Sequence, residues 1–599
     1  MSTSPPRELA EAAAALPGRA RRVRARPTHR ALGRVVRDAA LFLLPGHPAH
    51  EVPAEHLLDA VSESLTGLRA LQLTSGTFRG GDNVDSPPDT AFTVNDLACT
   101  RTAIARSAGG GAAADALAAL LPTLDALLEA VTPALVRGGV HTPNHRWEIA
   151  SALSRLWEAQ GDPAARDRAE EWLAEGVDLQ ADWMFSERSA NYAAHVSVPS
   201  LLVMGRILGR QELIRAADAA TLRQAELTDA NGLVETLTSR RQDQFAPFDG
   251  GALHPWFRAH AARTSDPLSA RAARRTAHRA DADALLTLLA HASEDPRALG
   301  PMPAAAADPA PEVPEVVDLA DSGLVRVDHG ISSAVLFGGT DTAQLGRITS
   351  GASSRPVFAR FSGHDAGVRE VRLSRDFFSL GPLRPGRPFA APASTPTPAG
   401  VPDARHRALE YVFEEEVGAE YFQPLPREAQ DPQGRYDLEF NGRFAAAMDF
   451  SRRPAELLTL RTTVQARVLP GELVLRLEFE GPLTPLCLLL ALDGVDLAAL
   501  PRDTQGRHVL DPAPGSGPAP APEDGAAAPC RAHCHLPGAE EQLEITASGD
   551  LGGRAFYDPG EAYTFLGATD APGGDVLLVP ASTALPLELR MRVTGREPA

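Results

Sequence analysis

The spacing of apolar residues changes once along this 599-residue chain, on either side of a segment rich in proline and alanine. From about residue 35 to 295, apolar residues recur every three or four positions among Ala, Leu, Arg and Glu, which is typical of amphipathic helices. Beyond about residue 321, short runs such as 324–327 and 473–479 are rich in β-formers and bounded by turn residues, which is typical of strands. The order predicts a helical domain followed by an antiparallel β domain.

This change of pattern sets the predicted domain boundaries. Successive helix pairs without a fixed-length repeat predict an N-terminal (α/α) toroid of helical hairpins, and the strand pattern predicts an antiparallel β-sandwich after it. We predict, in chain order, a flexible N-terminus (1–34), the toroid (35–295), a Pro/Ala linker (296–320) and the sandwich (321–599), which contains a disordered Pro/Ala/Gly loop (511–529).

Composition excludes several classes of protein. A net charge of −19 without an extended basic block argues against nucleic-acid binding, and we identify neither a membrane-spanning apolar run of about 18 residues nor a signal peptide. Four cysteines in so long a chain do not make a disulfide framework. We therefore expect a cytoplasmic protein with no membrane partner, and homo-oligomerisation is compatible with this composition.

Polar chemistry is concentrated in the stretch from Gly138 to Glu148. Two glycines permit a sharp turn, Thr142 suits an N-cap, and Pro143 suits the first helical position. The pattern thus predicts that a helix begins here, with Asn144 and the two residues after it in its first turn. A helix N-terminus favours a bound anion, so an acidic substrate would suit this position.

A second motif, Asn191-Tyr192-Ala193-Ala194-His195, follows 47 residues after Asn144, and Tyr192 is the only tyrosine in the helical half. A polar loop near residues 239–256 adds arginines, amides and an indole, groups that bind sugar hydroxyls and carboxylates or stack on pyranose rings. Each feature alone also fits a capped helix start or a solvated loop. Together they give the predicted substrate-binding set, which is Arg146, Trp147, Arg188, His195, Arg240, Arg241, Gln242 and Trp256.

In this context, the Asn144-His145 pair, Tyr192 and the later segment Ser362-Gly363-His364-Asp365 resemble the heparinase II/III-like and alginate-lyase-like polysaccharide lyases. The resemblance implies β-elimination on a uronic-acid-containing glycan, with an acidic oligo- or polysaccharide as substrate. It implies that Asn144 holds the sugar carboxylate, that His145 assists or acts as base, and that Tyr192 protonates the leaving oxygen. His364 would complete the catalytic set from the sandwich.

Two other functions remain open at this point. Asp89, in a turn before a helix, and Glu148 would form the acid/base pair of a glycoside hydrolase if the fold brought them together. A non-catalytic glycan-binding protein would keep the tryptophans and arginines and lack the acid/base set.

No cofactor is predicted. The chain has neither a glycine-rich phosphate loop nor a Gly-x-Ser-x-Gly elbow, so a nucleotide-binding protein and a serine hydrolase have no support. The segment Cys530-Arg531-Ala532-His533-Cys534-His535 contains residue types that bind zinc, but their spacing is tighter than in a usual zinc knuckle. The resembled lyases sometimes hold a divalent metal in the sandwich through histidines and an aspartate. Here only His364 and Asp365 correspond, so no metal is assigned and a structural divalent metal in the sandwich stays an open alternative.

Overall fold

The structure is a computed structural model of the 599-residue chain. It describes residues 5–44, 52–81, 83–304, 313–342, 351–391, 408–510, 512, 529–560, 572 and 574–595. The chain divides into two compact units. The first comprises residues 1–236 and 246–306, and the second comprises residues 237–245 and 307–599.

The first unit is built from helices, and most of them begin at a recognisable signal in the sequence. Asp162, Asp266 and Asp281 each cap a helix by accepting a backbone N–H, and the first two are followed directly by proline. The helices are α1 (Pro5–Ala25), α2 (His29–Leu43), α3 (Ala54–Leu71), α4 (Pro87–Ser107), α5 (Ala112–Ala118), α6 (Leu121–Arg137), α7 (Pro143–Gln160), α8 (Pro163–Leu173), α9 (Ala190–Tyr192), α10 (Val198–Ile207), α11 (Gln211–Glu226), α12 (His254–Thr264), α13 (Pro267–Thr276) and α14 (Ala282–Glu294). Two short strands, β1 (Leu233–Val234) and β2 (Phe248–Asp249), pair in the same unit.

These helices form a ring of hairpins. The inner helices α2, α4, α7 and α10 contact one another in sequence, and α12 contacts α14, which contacts α2. Trp256 of α12 donates a hydrogen bond to the Ala194 carbonyl oxygen, just before α10. Each inner helix packs against an outer one, namely α3, α6, α8, α11, α13 and α1 in the same order. The predicted toroid of helical hairpins is therefore confirmed, and its six inner helices surround a lumen.

Two expectations for this unit are wrong. Residues 5–25, within the segment expected to be flexible, form helix α1 and pack against α2, α3 and α14. Within the described residues, one segment, 112–137, is long and apolar enough to cross a membrane by length and hydropathy alone, although no such run was expected. It is broken between α5 and α6, and leucines of both helices lie in the core of this unit.

The second unit is built from strands. They are β3 (Glu315–Leu319), β4 (Leu324–Asp328), β5 (Ser333–Phe337), β6 (Ala359–Ser362), β7 (Gly367–Arg375), β8 (Phe389–Ala390), β9 (Leu409–Phe422), β10 (Leu438–Phe440), β11 (Ala445–Ala447), β12 (Ala455–Leu469), β13 (Glu472–Glu480), β14 (Pro485–Asp493), β15 (His508–Val509), β16 (Cys530–Pro537), β17 (Glu541–Gly549), β18 (Asp575–Ser582) and β19 (Leu587–Gly595). One sheet has the order β15-β18-β14-β7-β6-β5-β4-β3, and the other has the order β16-β17-β19-β13-β12-β9-β8. Pairing is antiparallel except between β15 and β18.

The two large sheets share one apolar core. Val371 and Leu488 from one sheet and Val464 and Ile545 from the other belong to the same buried cluster. Along β16 and β17, buried and more exposed residues alternate, as the pleat of a sheet with one covered face requires. The predicted β-sandwich is confirmed.

Details at its boundary differ from the prediction. Strand β3 lies inside the segment 296–320 that was predicted as a linker, and residues 296–299 form a 3-10 turn. Residues 237–245 group with the β unit although they lie between helices in sequence. The predicted disordered loop, 511–529, falls almost wholly outside the described residues.

Candidate functional site

The N-terminus of α7 lies at the position that the sequence predicted. Thr142 occupies the N-cap position with extended backbone, and Pro143 is the first helical residue. The Thr142 hydroxyl makes no capping hydrogen bond, contrary to expectation, and its buried oxygen has no hydrogen-bond partner. The first turn of α7 therefore lacks a side-chain cap, which leaves its N-terminal dipole available to an anion.

Asn144 connects this helix start to the second motif. Its Nδ2 donates to Glu187 Oε1 at 2.9 Å, and both side chains are buried. Its Oδ1 is buried without a hydrogen-bond partner. Because Glu187 lies five residues before Tyr192, the bond ties the start of α7 to the loop that leads into the second motif.

Further contacts hold the 178–188 loop against α7. Trp147 donates its indole N–H to Asp178 Oδ1 at 3.1 Å, and the Ser186 backbone N–H donates to the Asp178 carbonyl oxygen at 3.0 Å. Arg146 stacks on Trp147 and forms ion pairs with Glu175 and Asp178 at 2.9 and 3.6 Å. These bonds make the loop and the helix start one structural assembly.

These contacts correct two predicted roles. Trp147 is 1% exposed and packs in the interior, so it cannot present a face to a sugar. Arg188 is also buried, has a left-handed backbone with φ +52°, and donates its Nε to Gln180 Oε1 at 3.3 Å. Left-handed backbone at a residue other than glycine is strained, and such strain concentrates at functional sites.

Tyr192 and His195 lie on a helical segment of unusual geometry. Tyr192 ends α9, whose N-cap Ser189 accepts the Tyr192 backbone N–H at 3.1 Å. Residues 193–197 then form a π-helical turn that contains His195. Such turns occur frequently at functional sites because they displace side chains from the regular helical register.

His195 faces a different space from Asn144, the lumen of the toroid. This cavity has a volume of about 520 Å³ and is lined by side chains from all six inner helices. Desolvation by the surrounding protein, reinforced by the nearby positive charge of Arg34, lowers the pKa of His195 and so favours its neutral imidazole. The charged side chains that line the lumen are Arg19, Arg30, Arg34, Arg37, Arg155, Arg279, Asp96, Glu148, Asp249, Asp281, Asp283 and Glu294.

Glu148 is a carboxyl group of this lumen whose pKa lies well above its usual value. Burial raises its pKa to about 7, although Asn95 donates a hydrogen bond to its Oε1 at 2.7 Å. Trp256 also lines the lumen, but it is 5% exposed and its indole N–H donates to the Ala194 carbonyl oxygen at 2.7 Å. The predicted role of Trp256 as an open stacking platform is therefore wrong.

Asp89, the predicted partner of Glu148, has a different environment. It is not among the described residues that line the lumen. Its carboxylate accepts hydrogen bonds from the Asn83 backbone and side chain, both at 3.0 Å, and pairs with Arg30. Burial opposes ionisation of Asp89, but these hydrogen bonds and the Arg30 charge lower its pKa. This is the environment of a structural carboxylate, and the fold does not bring the predicted acid/base pair into one cavity.

The remaining predicted residues belong to the second unit. Arg240 forms a bidentate ion pair with Asp341, with both N–O distances 2.8 Å, so its charge is already matched. Arg241 is half-buried, and its backbone N–H donates a hydrogen bond to Ser239 Oγ. Gln242 is exposed and begins a 3-10 turn. His364 is exposed in the turn between β6 and β7, where its backbone N–H donates to Glu541 Oε2 at 2.8 Å.

Two residues of the 178–188 loop were missed by the sequence analysis. Glu187 orients Asn144, and Trp183 presents an indole that is 44% exposed from a backbone with φ +63°. Arg223 lies over the Trp183 ring at 5.6 Å from its centroid. The density of polar and aromatic residues from Asp182 to Tyr192 is the signal that would have identified both residues.

Comparisons with known proteins find similarity in structure but no match by sequence. No protein-family model matches the chain, and a search of curated proteins finds no match. The chain is similar to a heparan sulfate lyase from Pedobacter heparinus, with 10% identity over 91% of this chain and 73% of that one, at a TM-score of 0.42. It is similar to a heparinase III, with 9% identity over 90% and 74%, at a TM-score of 0.47. It is also similar to the chondroitin AC lyase of Streptomyces coelicolor, with 15% identity over 100% and 78%, at a TM-score of 0.45.

Proposed function

We propose that this protein is a glycan lyase that cleaves a uronic-acid-containing oligo- or polysaccharide by β-elimination. The observation that carries the proposal is the hydrogen bond from Asn144 to Glu187, because it joins the uncapped start of α7 to the segment that contains Tyr192. The bond holds the Asn144 amide against the loop that leads to Tyr192, and His145 follows Asn144 directly in the first turn of α7.

Each group has a role that its chemistry allows. The sugar carboxylate is neutralised by the second Nδ2 hydrogen of Asn144 and by the α7 dipole. Asn144 is 1% exposed, so substrate contact with it requires a small displacement of the side chains that cover it. His145 and Tyr192 are half-buried and accessible to a ligand without such a displacement.

The reaction needs no external oxidant or reductant. His145 accepts the C5 proton, the electron pair of that bond forms the C4–C5 double bond, and the C4–O bond breaks. Tyr192 donates its phenolic proton to the departing oxygen, and proton transfer through solvent restores both groups. Carboxylate neutralisation is essential because the C5 proton is otherwise only weakly acidic.

A glycoside hydrolase is the second candidate, and Glu148 is the observation that favours it. A carboxyl group with a pKa of about 7 in a polar cavity has the properties of a general acid near neutral pH. Its catalytic base would have to come from another lumen carboxylate, because Asp89 is saturated by Asn83 and Arg30.

The test is a continuous ultraviolet assay of the purified protein against a panel of uronate oligosaccharides. The expected result is rising absorbance from the new conjugated double bond, which the Tyr192→Phe variant abolishes while unfolding at the wild-type temperature. Tyr436→Phe in the second unit is the matched control and should retain full activity, since within the described residues its hydroxyl is hydrogen-bonded to the backbone of Asp431.

Two other outcomes overturn the proposal. New reducing ends without ultraviolet absorbance, lost in Glu148→Gln, would identify a hydrolase. Binding of the panel without any cleavage, unaffected by Tyr192→Phe, would identify a glycan-binding protein.

A further inference from the structure

The outer face of the second sheet contains three side chains whose arrangement matches a metal site. His533 and His535 lie on β16, and Glu544 lies on the neighbouring strand β17. One nitrogen from each imidazole and one carboxylate oxygen all lie within 4.8 Å of one another. Within the described residues, this is the one group of three or more histidine, cysteine or acidic side chains with such spacing.

The pleat of the sheet explains why these three side chains converge. Residues 533 and 535 are two apart on one strand, so both side chains point to the same face, while Ala532 and Cys534 point into the core. In the β16–β17 register, His535 is directly opposite Glu544. Cross-strand neighbours on one face have Cβ atoms about 5 Å apart, which suits a shared ligand.

The present contacts are close to those of a coordinated ion. His533 Nε2 lies 3.0 Å from Glu544 Oε1, and the two imidazole rings are edge-to-face with centroids 4.2 Å apart. Ligands about 2.1 Å from a tetrahedral ion lie roughly 3.4 Å from one another. Side-chain rotation can bring the ligand atoms from their present separations to those around an ion, because His533 and Glu544 are 40% and 30% exposed.

We propose that His533, His535 and Glu544 form a binding site for a divalent transition metal, with Zn²⁺ as the expected ion. Two imidazoles and one carboxylate are a ligand set that zinc uses when it keeps an open coordination position, and solvent fills that position at this exposed face. The two cysteines of the segment take no part, since Cys534 is buried in the core and Cys530 lies on the same inward face of β16.

The site has a structural consequence for the sheet. Among the strands that the structure describes, β16 lies at the edge of the seven-stranded sheet and pairs with β17 alone. A metal ion that takes two ligands from β16 and one from β17 cross-links the edge to its neighbour. Because binding to the folded state alone stabilises that state, the protein should unfold at a higher temperature when zinc is added.

One neighbouring cation allows a variant that should strengthen zinc binding rather than weaken it. Arg592 of β19 is paired in register with Glu544 and lies on the same face of the sheet. Its positive charge lowers the affinity of the carboxylate for a cation. Arg592→Gln should therefore bind zinc more tightly than the wild type, whereas removal of a ligand should weaken binding.

The experiment is isothermal titration of the full chain, freed of any affinity tag and treated with chelator, with a zinc salt alone. The expected result is one site per chain that loses at least tenfold in affinity in both His535→Gln and Glu544→Gln, with a zinc-dependent rise in unfolding temperature that those variants lack. His278→Gln, which changes an exposed histidine in the first unit, is the matched control and should bind as the wild type does.

Other results would overturn the proposal. The chain contains 17 histidines, so zinc binding that persists unchanged in both ligand variants would place the ion elsewhere. Absence of binding to the wild type would leave His533 and Glu544 as a surface ion pair. Neither result depends on the catalytic activity of the first unit.

Discussion

Asn144 Nδ2 donates to Glu187 Oε1 at 2.9 Å, and the two side chains are 1% and 8% exposed. A carboxylate only accepts hydrogen bonds, so it orients the carboxamide with its nitrogen toward Glu187 and leaves one N–H for another acceptor. A buried, charge-assisted hydrogen bond of this kind holds a group more firmly than a neutral one. Glu187 is therefore a positioning residue in the proposed lyase, and Asn144 is the group that it positions.

Removal of Glu187 should lower kcat more than it raises KM. We expect Glu187→Ala to lose about 10²-fold in kcat on the proposed uronate oligosaccharide substrate, because small misplacements of catalytic groups have effects of that size. Glu187→Gln should recover part of the loss, since its amide oxygen still accepts from Asn144. Steady-state kinetics of both variants provide the measurement.

A surface glutamate supplies the control for this prediction. Glu171 is 64% exposed and pairs with Arg168, three residues before it on α8. Glu171→Ala should retain wild-type kinetics because exposed ion pairs of this kind contribute little. Equal losses in Glu187→Ala and Glu187→Gln would contradict the positioning role.

Trp183 should contribute to substrate binding rather than to chemistry. Its indole is 44% exposed and lies in the loop that Asp178 and Glu187 tie to α7. Aromatic contacts contribute about 0.5–1.5 kcal/mol, so Trp183→Ala should raise KM roughly 2–10-fold with kcat nearly unchanged.

Trp183→Phe is the matched variant for this measurement. It keeps an aromatic ring and the same left-handed backbone at φ +63°, so any strain is equal in the two substitutions. It should retain most of the affinity. A KM of Trp183→Ala equal to that of the wild type would exclude the stacking role.

The Arg155–Glu294 ion pair should stabilise the toroid. Arg155 on α7 forms a bidentate pair with Glu294 on α14, and Arg206 on α10 donates to Glu294 Oε1 at 3.2 Å. Burial opposes ionisation of Glu294, but Arg155 and Arg206 hold its pKa at about 2. Three inner helices are thereby joined through one carboxylate.

Breaking this pair leaves a buried charge without its main partner. Arg155→Leu should lower the free energy of unfolding by about 3–5 kcal/mol, measured by urea denaturation. The double variant Arg155→Leu with Glu294→Leu should recover much of that loss, because two apolar groups replace two charges. A single variant as stable as the wild type would show that the network does not stabilise the ring.

The sequence predicted the architecture well because that information is local. Periodicity of 3.6 or 2 residues and signals such as Asp162-Pro163 specify where helices and strands form, and strands such as β4, β5 and β13 lie where the alternation placed them. The start of α7 was predicted for the same reason.

Side-chain environment depends on tertiary contacts, and there the predictions were less accurate. Composition alone does not reveal that Trp147 and Trp256 are buried, or that Arg240 is already paired with Asp341. Likewise, the register of two strands separated by a turn decides that His535 meets Glu544. The cysteines and histidines of residues 530–535 are too closely spaced for a zinc knuckle. The third ligand of the proposed site, Glu544, comes from the adjacent strand.

Glu148 should make the stability of the protein depend on pH. Burial raises its pKa from 4.5 to about 7 in the folded state, so the folded protein keeps the carboxyl protonated over a range where the unfolded chain ionises it. The unfolded state therefore gains stability relative to the folded one as pH rises from about 4.5 to 7. As far as Glu148 is concerned, the free energy of unfolding is highest below this pH range and falls as the pH rises through it.

Glu148→Gln removes this dependence while it keeps an oxygen that can accept from Asn95 Nδ2, a bond of 2.7 Å in the wild type. A pKa shift of this size corresponds to about 3 kcal/mol. The variant should therefore match the wild type near pH 4.5 and become progressively more stable than it toward pH 8. Unfolding temperatures of both proteins across this range provide the measurement, and parallel pH profiles would show that Glu148 is ionised in the folded lumen.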